Sequence, residues 1–248
     1  MNFVCGGRIG DFINSLYVVS RLAETPACLY ITGSNYGGDS FSRGVDATYI
    51  DLQKLVTAQP YVKSFHSANT INEQFVNLNS WRMSDKLYKA NWTEIFNSYY
   101  ALPAQDKFTP YLSVESDNRF KDYVIIHRSP QRHTNNFPWE SIIKNNKVVF
   151  VGFDSSEMNT LPNASSIEFF QPKDFYEYAC IIKGAKGFIG NQSSPLALAY
   201  GVGQRVLAEL HNQDSLHYFY KPPFKDNFFY ISNIGASSIQ GLDDFVNI

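Results

Sequence analysis

Short apolar segments alternate with segments of helical periodicity along this chain, and this alternation limits the folds open to it. The predicted buried strands of the second half cover 123–127, 147–152, 166–171, 186–190 and 204–210. The predicted helices between them cover 138–146, 173–185 and 193–203. Apolar strands separated by helices are typical of a parallel sheet that is covered on both faces. The pattern therefore predicts an α/β protein.

The N-terminal part of the chain shows the same alternation in a less regular form. Its predicted strands cover 2–5, 27–32, 61–66 and 73–78, and its predicted helices cover 13–22, 51–60 and 84–102. Residues 103–122 contain two prolines and several charges without an apolar period, which is typical of a junction between domains. We therefore predict two Rossmann-like domains, 1–115 and 116–248, that face each other across a cleft.

Composition and charge exclude several classes of protein. A formal net charge of −2 disfavours a nucleic-acid-binding protein, because such proteins usually carry a basic surplus. No apolar stretch approaches the roughly 18 residues that a membrane span requires, and the N-terminus does not resemble a signal peptide. Cys5, Cys28 and Cys180 lack metal-ligand spacing and fit reduced thiols. We therefore expect a cytoplasmic protein without a transmembrane segment.

The first turn of the chain reads GGRIGD over residues 6–11. Gly7 and Gly10 allow the backbone to approach a ligand closely, although their spacing differs from the dinucleotide-binding fingerprint. Asp11 follows the first strand at its carboxyl end, which is where ligands bind in open parallel sheets. We interpret Asp11 as a carboxylate that removes a proton from a substrate hydroxyl, and a helix cap is the structural alternative.

Basic side chains crowd together where the strand 123–127 ends. His127 is followed by Arg128, Arg132 and His133 within a short polar loop. Arginine binds phosphate oxygens through a planar fork of donors. The sequence therefore predicts an anion site at this strand end, with solvated loop charge as the structural alternative.

A third polar segment follows the strand 186–190. Pro195 suits the first turn of the next helix, where the free amides and the helix dipole favour a bound anion. The candidate ligand-binding residues are Gly190, Asn191, Gln192, Ser193 and Ser194. A plain capped helix is the structural alternative. Glu209 ends the following strand and points toward the same cleft, where we expect it either to bind ribose hydroxyls or to serve a surface role.

These three segments, in this order, resemble the heptosyltransferases, which form glycosyltransferase family 9. That family opens with a strand and a G-x-G-D turn into a helix, for which this chain has GGRIGDFINSLYVV. Its second domain has a K-x-W-P segment and segments similar to vvfvG and fiGndSGpxHlA. This chain has NNFPWESI, KVVFVGF and GFIGNQSSPLALA in those places. The resemblance covers residues 1–25 and most of 123–210.

The resemblance implies a fold of the GT-B type and a nucleotide-activated sugar as donor. The donor would lie against the second domain and the acceptor against the first. Asp11 matches the aspartate that is proposed as the general base in the family. The stretch that contacts the donor in the family matches Asn191, Gln192, Ser193 and Ser194.

This chain also departs from the family pattern. Gln192 and Ala197 stand where the family has an aspartate and a histidine, and Asn135 lies near the place of its lysine. We expect Arg128 or Arg132 to replace that lysine at the diphosphate.

The sequence therefore predicts a glycosyltransferase that moves a sugar from a nucleotide-sugar donor to a hydroxyl of a glycan or another acceptor. No Asp-x-Asp pair lies at a strand end, so we expect neither a metal nor another cofactor; Asp243 and Asp244 are expected at a solvated helix end. Two alternatives stay open. One is a fucosyltransferase-like enzyme with a guanosine-linked donor, suggested by IIHRSPQRH, and the other is a catalytically silent binding module.

Overall fold

The computed structural model describes residues 1–33, 36–38, 40–103, 105, 107–211, 220–221, 227–232 and 235–236. Its strands are β1 (Asn2–Cys5), β2 (Ala27–Ile31), β3 (Val62–Ser67), β4 (Val76–Asn77), β5 (Val124–His127), β6 (Val148–Val151), β7 (Glu168–Phe170), β8 (Gly187–Asn191), β9 (Val206–Leu210), β10 (Phe228–Ser232) and β11 (Gly235–Ala236). Its helices are α1 (Ile9–Leu22), α2 (Val45–Thr57), α3 (Trp92–Tyr99), α4 (Trp139–Asn145), α5 (Phe175–Gly184) and α6 (Ser194–Gly201).

The strands form two sheets, and all the strand pairs except the last are parallel. The first sheet has the order β3-β2-β1-β4, and the second has the order β11-β10-β9-β8-β5-β6-β7. Only β10 and β11 pair in antiparallel fashion among the described strands. The predicted α/β architecture of two parallel sheets is confirmed. Strands β10 and β11 were not predicted.

The register of the second sheet places the predicted site residues next to one another. His127 of β5 lies beside Gly190 of β8, and Asn191 of β8 lies beside Glu209 of β9. Because these strands are parallel, their carboxyl ends meet at one edge of the sheet. Residues far apart in the sequence therefore come together at this edge.

The predicted helix 84–102 is wrong over its first turns. The helix in this region is α3, which begins after Asn91 with a capping box. The Asn91 side chain accepts a hydrogen bond from the backbone of Glu94, and the Glu94 side chain accepts one from the backbone of Asn91. This reciprocal cap fixes the start of the helix. Tyr88, with φ of 69°, has a left-handed backbone that no helix interior allows.

The two halves share one apolar core. Helix α1 of the first half packs directly on helix α6 of the second half. Tyr17 and Trp92 of the first half form edge-to-face pairs with Tyr111, and Trp92 also lies against Tyr200 of α6. Such aromatic pairs add stability beyond the area that they bury. The packing fixes the two sheet edges relative to each other.

The predicted domain limits, 1–115 and 116–248, stay a prediction. They fall in the segment between β4 of the first sheet and β5 of the second sheet. In the part of the chain that the structure describes, no helix is both long and apolar enough to cross a lipid bilayer.

Candidate functional site

A polar cavity of about 670 Å³ lies between the two halves. The first half lines it with Arg8, Ile9, Gly10, Ser40 and Ser42. The rest of the chain lines it with Ser129, Gln131, Arg132, Gln192, Ser193, Ser194 and Tyr220. Among these described lining residues, two have charged side chains, and these are Arg8 and Arg132. The cavity therefore suits a ligand that carries negative charge and many hydroxyl or oxygen groups.

Two helices begin at this cavity. Arg8 is the N-cap residue of α1 and Ser193 is that of α6, and neither side chain caps its helix. The two starts are in contact, because a Cβ atom on Gly10 would lie 3.6 Å from the backbone nitrogen of Ser194. The first amides of a helix lack intrahelical acceptors and carry the positive end of the helix dipole. Two adjacent helix starts thus favour an anion at the same place.

Two arginines add full positive charges to the cavity wall. Arg8 comes from the opening loop and Arg132 from the loop after β5. Arg132 has φ of 63°, a left-handed conformation that is uncommon for a residue with a side chain. Its guanidinium lies 5.8 Å from the ring centre of Tyr220. The sequence analysis predicted Arg132 as a site residue. It missed Arg8, although Arg8 lies between Gly7 and Gly10 in the opening loop.

Asp11 lies beside the cavity rather than on its lining. Its Oδ2 atom forms an ion pair of 2.7 Å with Arg82, and the two side chains are 11% and 22% exposed. Its Oδ1 atom accepts a hydrogen bond of 3.2 Å from the Tyr220 hydroxyl. The arginine and the hydroxyl both stabilise the ionised carboxylate. Arg82 and Tyr220 were missed from sequence, because they lie 71 and 209 residues away from Asp11.

The Cys5 thiol, which interacts electrostatically with this carboxylate, is held neutral. Burial raises the pKa of Cys5 to about 12, and the charge of Asp11 acts in the same direction while Arg82 opposes it. The thiolate is the reactive form of cysteine. Cys5 is therefore a packing residue of the core.

Arg128 is bound by the protein and is not among the described residues that line the cavity. Its Nε and Nη2 atoms donate to the two oxygens of Glu209 at 2.9 and 2.7 Å, and its Nη1 atom donates to the carbonyl of Thr160. Glu209 is 0% exposed and also accepts from the Thr134 amide and the Trp139 indole. Protein donors thus already occupy the Glu209 carboxylate. Its predicted contact with ribose would have to replace one of these bonds, and that contact stays a prediction.

Asn191 holds the loop that follows β5. Its Oδ1 atom accepts from the amide of Ser129, and its Nδ2 atom donates to the carbonyls of Ser129 and Gln131. Gln192 lines the cavity, and its Oε1 atom accepts from the amide of His211. The segment that starts α6 and the segment that carries Arg132 therefore form one rigid wall.

The two histidines near this wall have structural contacts. Burial lowers the pKa of His127 to about 4, so the ring is neutral at pH 7, and its Nδ1 atom lies 3.1 Å from the carbonyl of Val151. His133 lies with Nε2 at 2.6 Å from the carbonyl of Ser129. Direct contact of His133 with a donor stays a prediction.

Two of the predicted glycines have a backbone requirement. Gly7 has φ of 112°, which residues with a side chain rarely adopt. A Cβ atom on Gly190 would lie 2.7 Å from the carbonyl oxygen of His127, which is too close for any side chain. Gly7 shapes the opening loop, and Gly190 allows β5 and β8 to lie side by side.

Within the described residues, no three side chains of His, Cys, Asp or Glu come together as a metal site requires. Asp243 and Asp244, which we expected at a solvated helix end, lie outside the described residues. Metal independence stays a prediction.

The fold is similar to that of solved glycosyltransferases. A glycosyl transferase family 9 protein from Veillonella parvula DSM 2008 matches with a TM-score of 0.61 and 11% identity over 97% of this chain and 89% of that chain. The E. coli ADP-heptose LPS heptosyltransferase II matches with a TM-score of 0.57 and 12% identity over 93% and 89%. The E. coli heptosyltransferase WaaC with ADP matches with a TM-score of 0.54 and 9% identity over 99% of each chain.

At such identities the likeness establishes the fold alone. This chain has the two-sheet α/β fold of the heptosyltransferase-like glycosyltransferases, and the resemblance inferred from its motifs is confirmed at that level. No protein-family model matches the chain, and no curated protein matches its sequence.

Proposed function

We propose that the protein is a metal-independent glycosyltransferase that moves a sugar from a nucleotide-sugar donor to a hydroxyl of a glycan or another acceptor. The single observation that carries this proposal is the cavity where α1 and α6 begin together, with Arg8 and Arg132 in its wall and Asp11 beside it. Its charge pattern fits a diphosphate, and the fold it belongs to is one that glycosyltransferases have.

In the proposed reaction, the oxygen of the acceptor hydroxyl forms a bond to the anomeric carbon of the donor sugar. Asp11 takes the hydroxyl proton as general base. The bond between the anomeric carbon and the diphosphate oxygen breaks, and the electron pair leaves with the nucleoside diphosphate. Arg8, Arg132 and the amides at the start of α6 stabilise the charge that develops on this leaving group.

The predicted site residues divide into two groups under this proposal. The residues placed at the donor itself are Gly10, Arg132, Gln192, Ser193 and Ser194, to which we add Arg8. The residues that hold the lining segments in place through contacts outside the cavity are Gly7, Arg128, His133, Gly190, Asn191 and Glu209. The division rests on which of these residues line the cavity.

Calorimetry with ADP and with GDP, in excess chelator, tests the donor site. We expect a nucleoside diphosphate to bind without a divalent ion. Preference for ADP would agree with the ligand named for the E. coli WaaC structure, which is ADP. Preference for GDP would favour the fucosyltransferase-like alternative. Absence of binding to any nucleoside diphosphate would contradict the proposal.

Transfer from labelled nucleotide sugars, including ADP-heptose, tests turnover. We expect the rate to persist in excess chelator. Loss of transfer that manganese or magnesium restores would contradict metal independence. Tight binding of the nucleoside diphosphate with neither transfer nor hydrolysis of any labelled donor would favour the catalytically silent binding module.

A further inference from the structure

Tyr220 contacts the Asp11 carboxylate opposite the ion pair with Arg82. The Tyr220 hydroxyl donates to Oδ1 at 3.2 Å, while Arg82 donates to Oδ2 at 2.7 Å. Each carboxylate oxygen therefore has its own protein donor.

The Tyr220 hydroxyl keeps its proton. Burial raises the pKa of Tyr220, and the neighbouring Asp11 raises it further, while Arg132 and Arg8 act in the opposite direction. The Tyr220 hydroxyl is therefore protonated at neutral pH and donates its hydrogen bond to Asp11. A hydrogen bond to the charged form of a carboxylate favours that form.

The position of Tyr220 is fixed from two other parts of the second half. The Tyr200 hydroxyl of α6 donates to the backbone carbonyl of Tyr220 at 3.1 Å. The guanidinium of Arg132 lies 5.8 Å from the centre of the Tyr220 ring, on the side of the cavity. The Tyr220 side chain thus contacts both Arg132, which lines the cavity, and the Asp11 carboxylate beside the cavity.

We propose that Tyr220 is a positioning residue for Asp11, and this inference rests on the proposed role of Asp11 as general base. Its hydroxyl orients the carboxylate and holds it ionised, and its ring ties the base to the side of the cavity where Arg132 binds the diphosphate. Tyr220 touches no reacting atom. Its effect on the reaction passes through Asp11.

Among the described residues, the charged and titratable groups that face Asp11 come from several elements. Arg82 faces it from the segment after β4, Tyr220 from the C-terminal part, and Cys5 from β1 as a neutral thiol. Arg8 and Arg132 act on the partner, Tyr220. Removing the Tyr220 hydroxyl alone leaves the other groups in place, so a single oxygen atom can be tested.

The test is a carbon-13 NMR titration of the Asp11 carboxyl in the full chain, with the resonance assigned by its loss in Asp11→Asn. We expect Tyr220→Phe to raise the pKa of Asp11 by roughly one unit, because a charged hydrogen bond is lost. Tyr17→Phe is the matched control. Tyr17 lies on α1, the helix that carries Asp11, and its hydroxyl bonds to Asn97 rather than to Asp11. An Asp11 titration that is the same in Tyr220→Phe and in the control would overturn the proposal.

Kinetics supply a second measurement. With a transferred nucleotide sugar, Tyr220→Phe should lower kcat roughly tenfold and move the acid limb of its pH profile upward, with KM for the donor unchanged. An unchanged kcat would overturn the positioning role while leaving the proposed function standing. Failure of the wild-type protein to transfer any sugar would overturn the proposed function, and the NMR titration would still decide whether Tyr220 sets the state of Asp11.

Discussion

Two arginine–carboxylate pairs lie at the carboxyl ends of the strands, and they differ in what surrounds them. The pair of Arg128 with Glu209 lies in the second half, and its carboxylate is 0% exposed with four protein donors. The pair of Arg82 with Asp11 lies in the first half, and its side chains are 22% and 11% exposed beside the cavity. The contact distance is 2.7 Å in both pairs.

Under the proposed function, this difference in surroundings makes the first pair structural and the second pair part of the active site. A buried carboxylate whose acceptor sites are all engaged cannot take a proton from a substrate without losing those bonds. The Asp11 carboxylate instead lies beside the cavity, and the proposed function assigns it the proton of the acceptor hydroxyl. The equal contact distance of the two ion pairs therefore does not imply equal function, since Arg128 binds both oxygens of a fully buried Glu209 and Arg82 binds one oxygen of Asp11.

The largest effect is expected from breaking the buried pair. Glu209→Leu leaves the Arg128 guanidinium, the Thr134 amide and the Trp139 indole without their acceptor. Removing one partner of a buried ion pair typically costs about 3–5 kcal/mol. Urea denaturation should show this loss in the free energy of unfolding.

The control for that variant is an exposed pair. Arg43 and Asp51 lie 2.6 Å apart with side chains 65% and 25% exposed, and Asp51→Ala should cost less than about 1 kcal/mol. If Glu209→Leu were no more destabilising than Asp51→Ala, the structural role of the buried pair would be refuted.

The next effect concerns the pair at the cavity. Asp11→Asn keeps one oxygen that can accept from Tyr220 but replaces the oxygen paired with Arg82 by an amide NH2. We therefore expect a lower free energy of unfolding in a protein that still folds and binds a nucleoside diphosphate. Turnover should fall on the order of a hundredfold or more, because the amide cannot act as a base. The measurement is kcat for sugar transfer, with ADP affinity measured on the same preparation.

A purely structural role for Asp11 predicts a different result. Arg8 is the N-cap residue of α1, so the structural role that the contacts of Asp11 allow is the one it has with Arg82 and Tyr220. Such a role would leave the rate of the folded variant near that of the wild type. Transfer at that rate would remove Asp11 from the role of base and make both ion pairs structural.

A third effect separates the two arginines of the loop after β5. Arg132→Ala should weaken ADP binding by about 1.5–3 kcal/mol, the usual loss for a charged hydrogen bond, with little change in unfolding. Arg128→Ala should instead destabilise the fold, since it leaves Glu209 buried and unpaired. Calorimetry and urea denaturation on both variants decide the matter. Equal ADP affinity of Arg132→Ala and the wild type would contradict the assignment.

The smallest effect is a pH dependence beside the buried pair. The pKa of His127 is lowered to about 4 in the folded protein, so the unfolded chain binds a proton there at higher pH. Stability should therefore fall as pH drops from about 6.5 toward 4, by roughly 2 kcal/mol at pH 5. His127→Asn retains a donor for Val151 and should flatten this part of the curve. Curves that fall in parallel for both proteins would show that other groups are responsible.

Local patterns predicted some elements well and others poorly. The strands of the second half were predicted within one to two residues of β5, β6 and β8, because they are apolar throughout. The stretch 84–102 carries an apolar stripe, yet only Trp92–Tyr99 is helical. The residues of the capping box, Asn91 and Glu94, are present in the sequence. The prediction followed the apolar stripe instead and placed the start of the helix too early.

The sequence by itself determined the two parallel sheets and the loops that meet at their edges. Alternating strands and helices allow few other arrangements, and parallel strands bring their carboxyl ends to one edge. Local patterns therefore predicted that Asp11, Arg132 and Ser194 lie near these edges, and their role in a site stays a prediction.

Only the tertiary structure decided which of the charged residues face the cavity. Arg128 and Arg132 lie four residues apart in one basic loop, and only packing against Glu209 distinguishes them. Arg82 and Tyr220 reach Asp11 from 71 and 209 residues away. The physical reason is that burial and hydrogen-bond partners set the state of a charged group, and these depend on distances in space that no local pattern encodes.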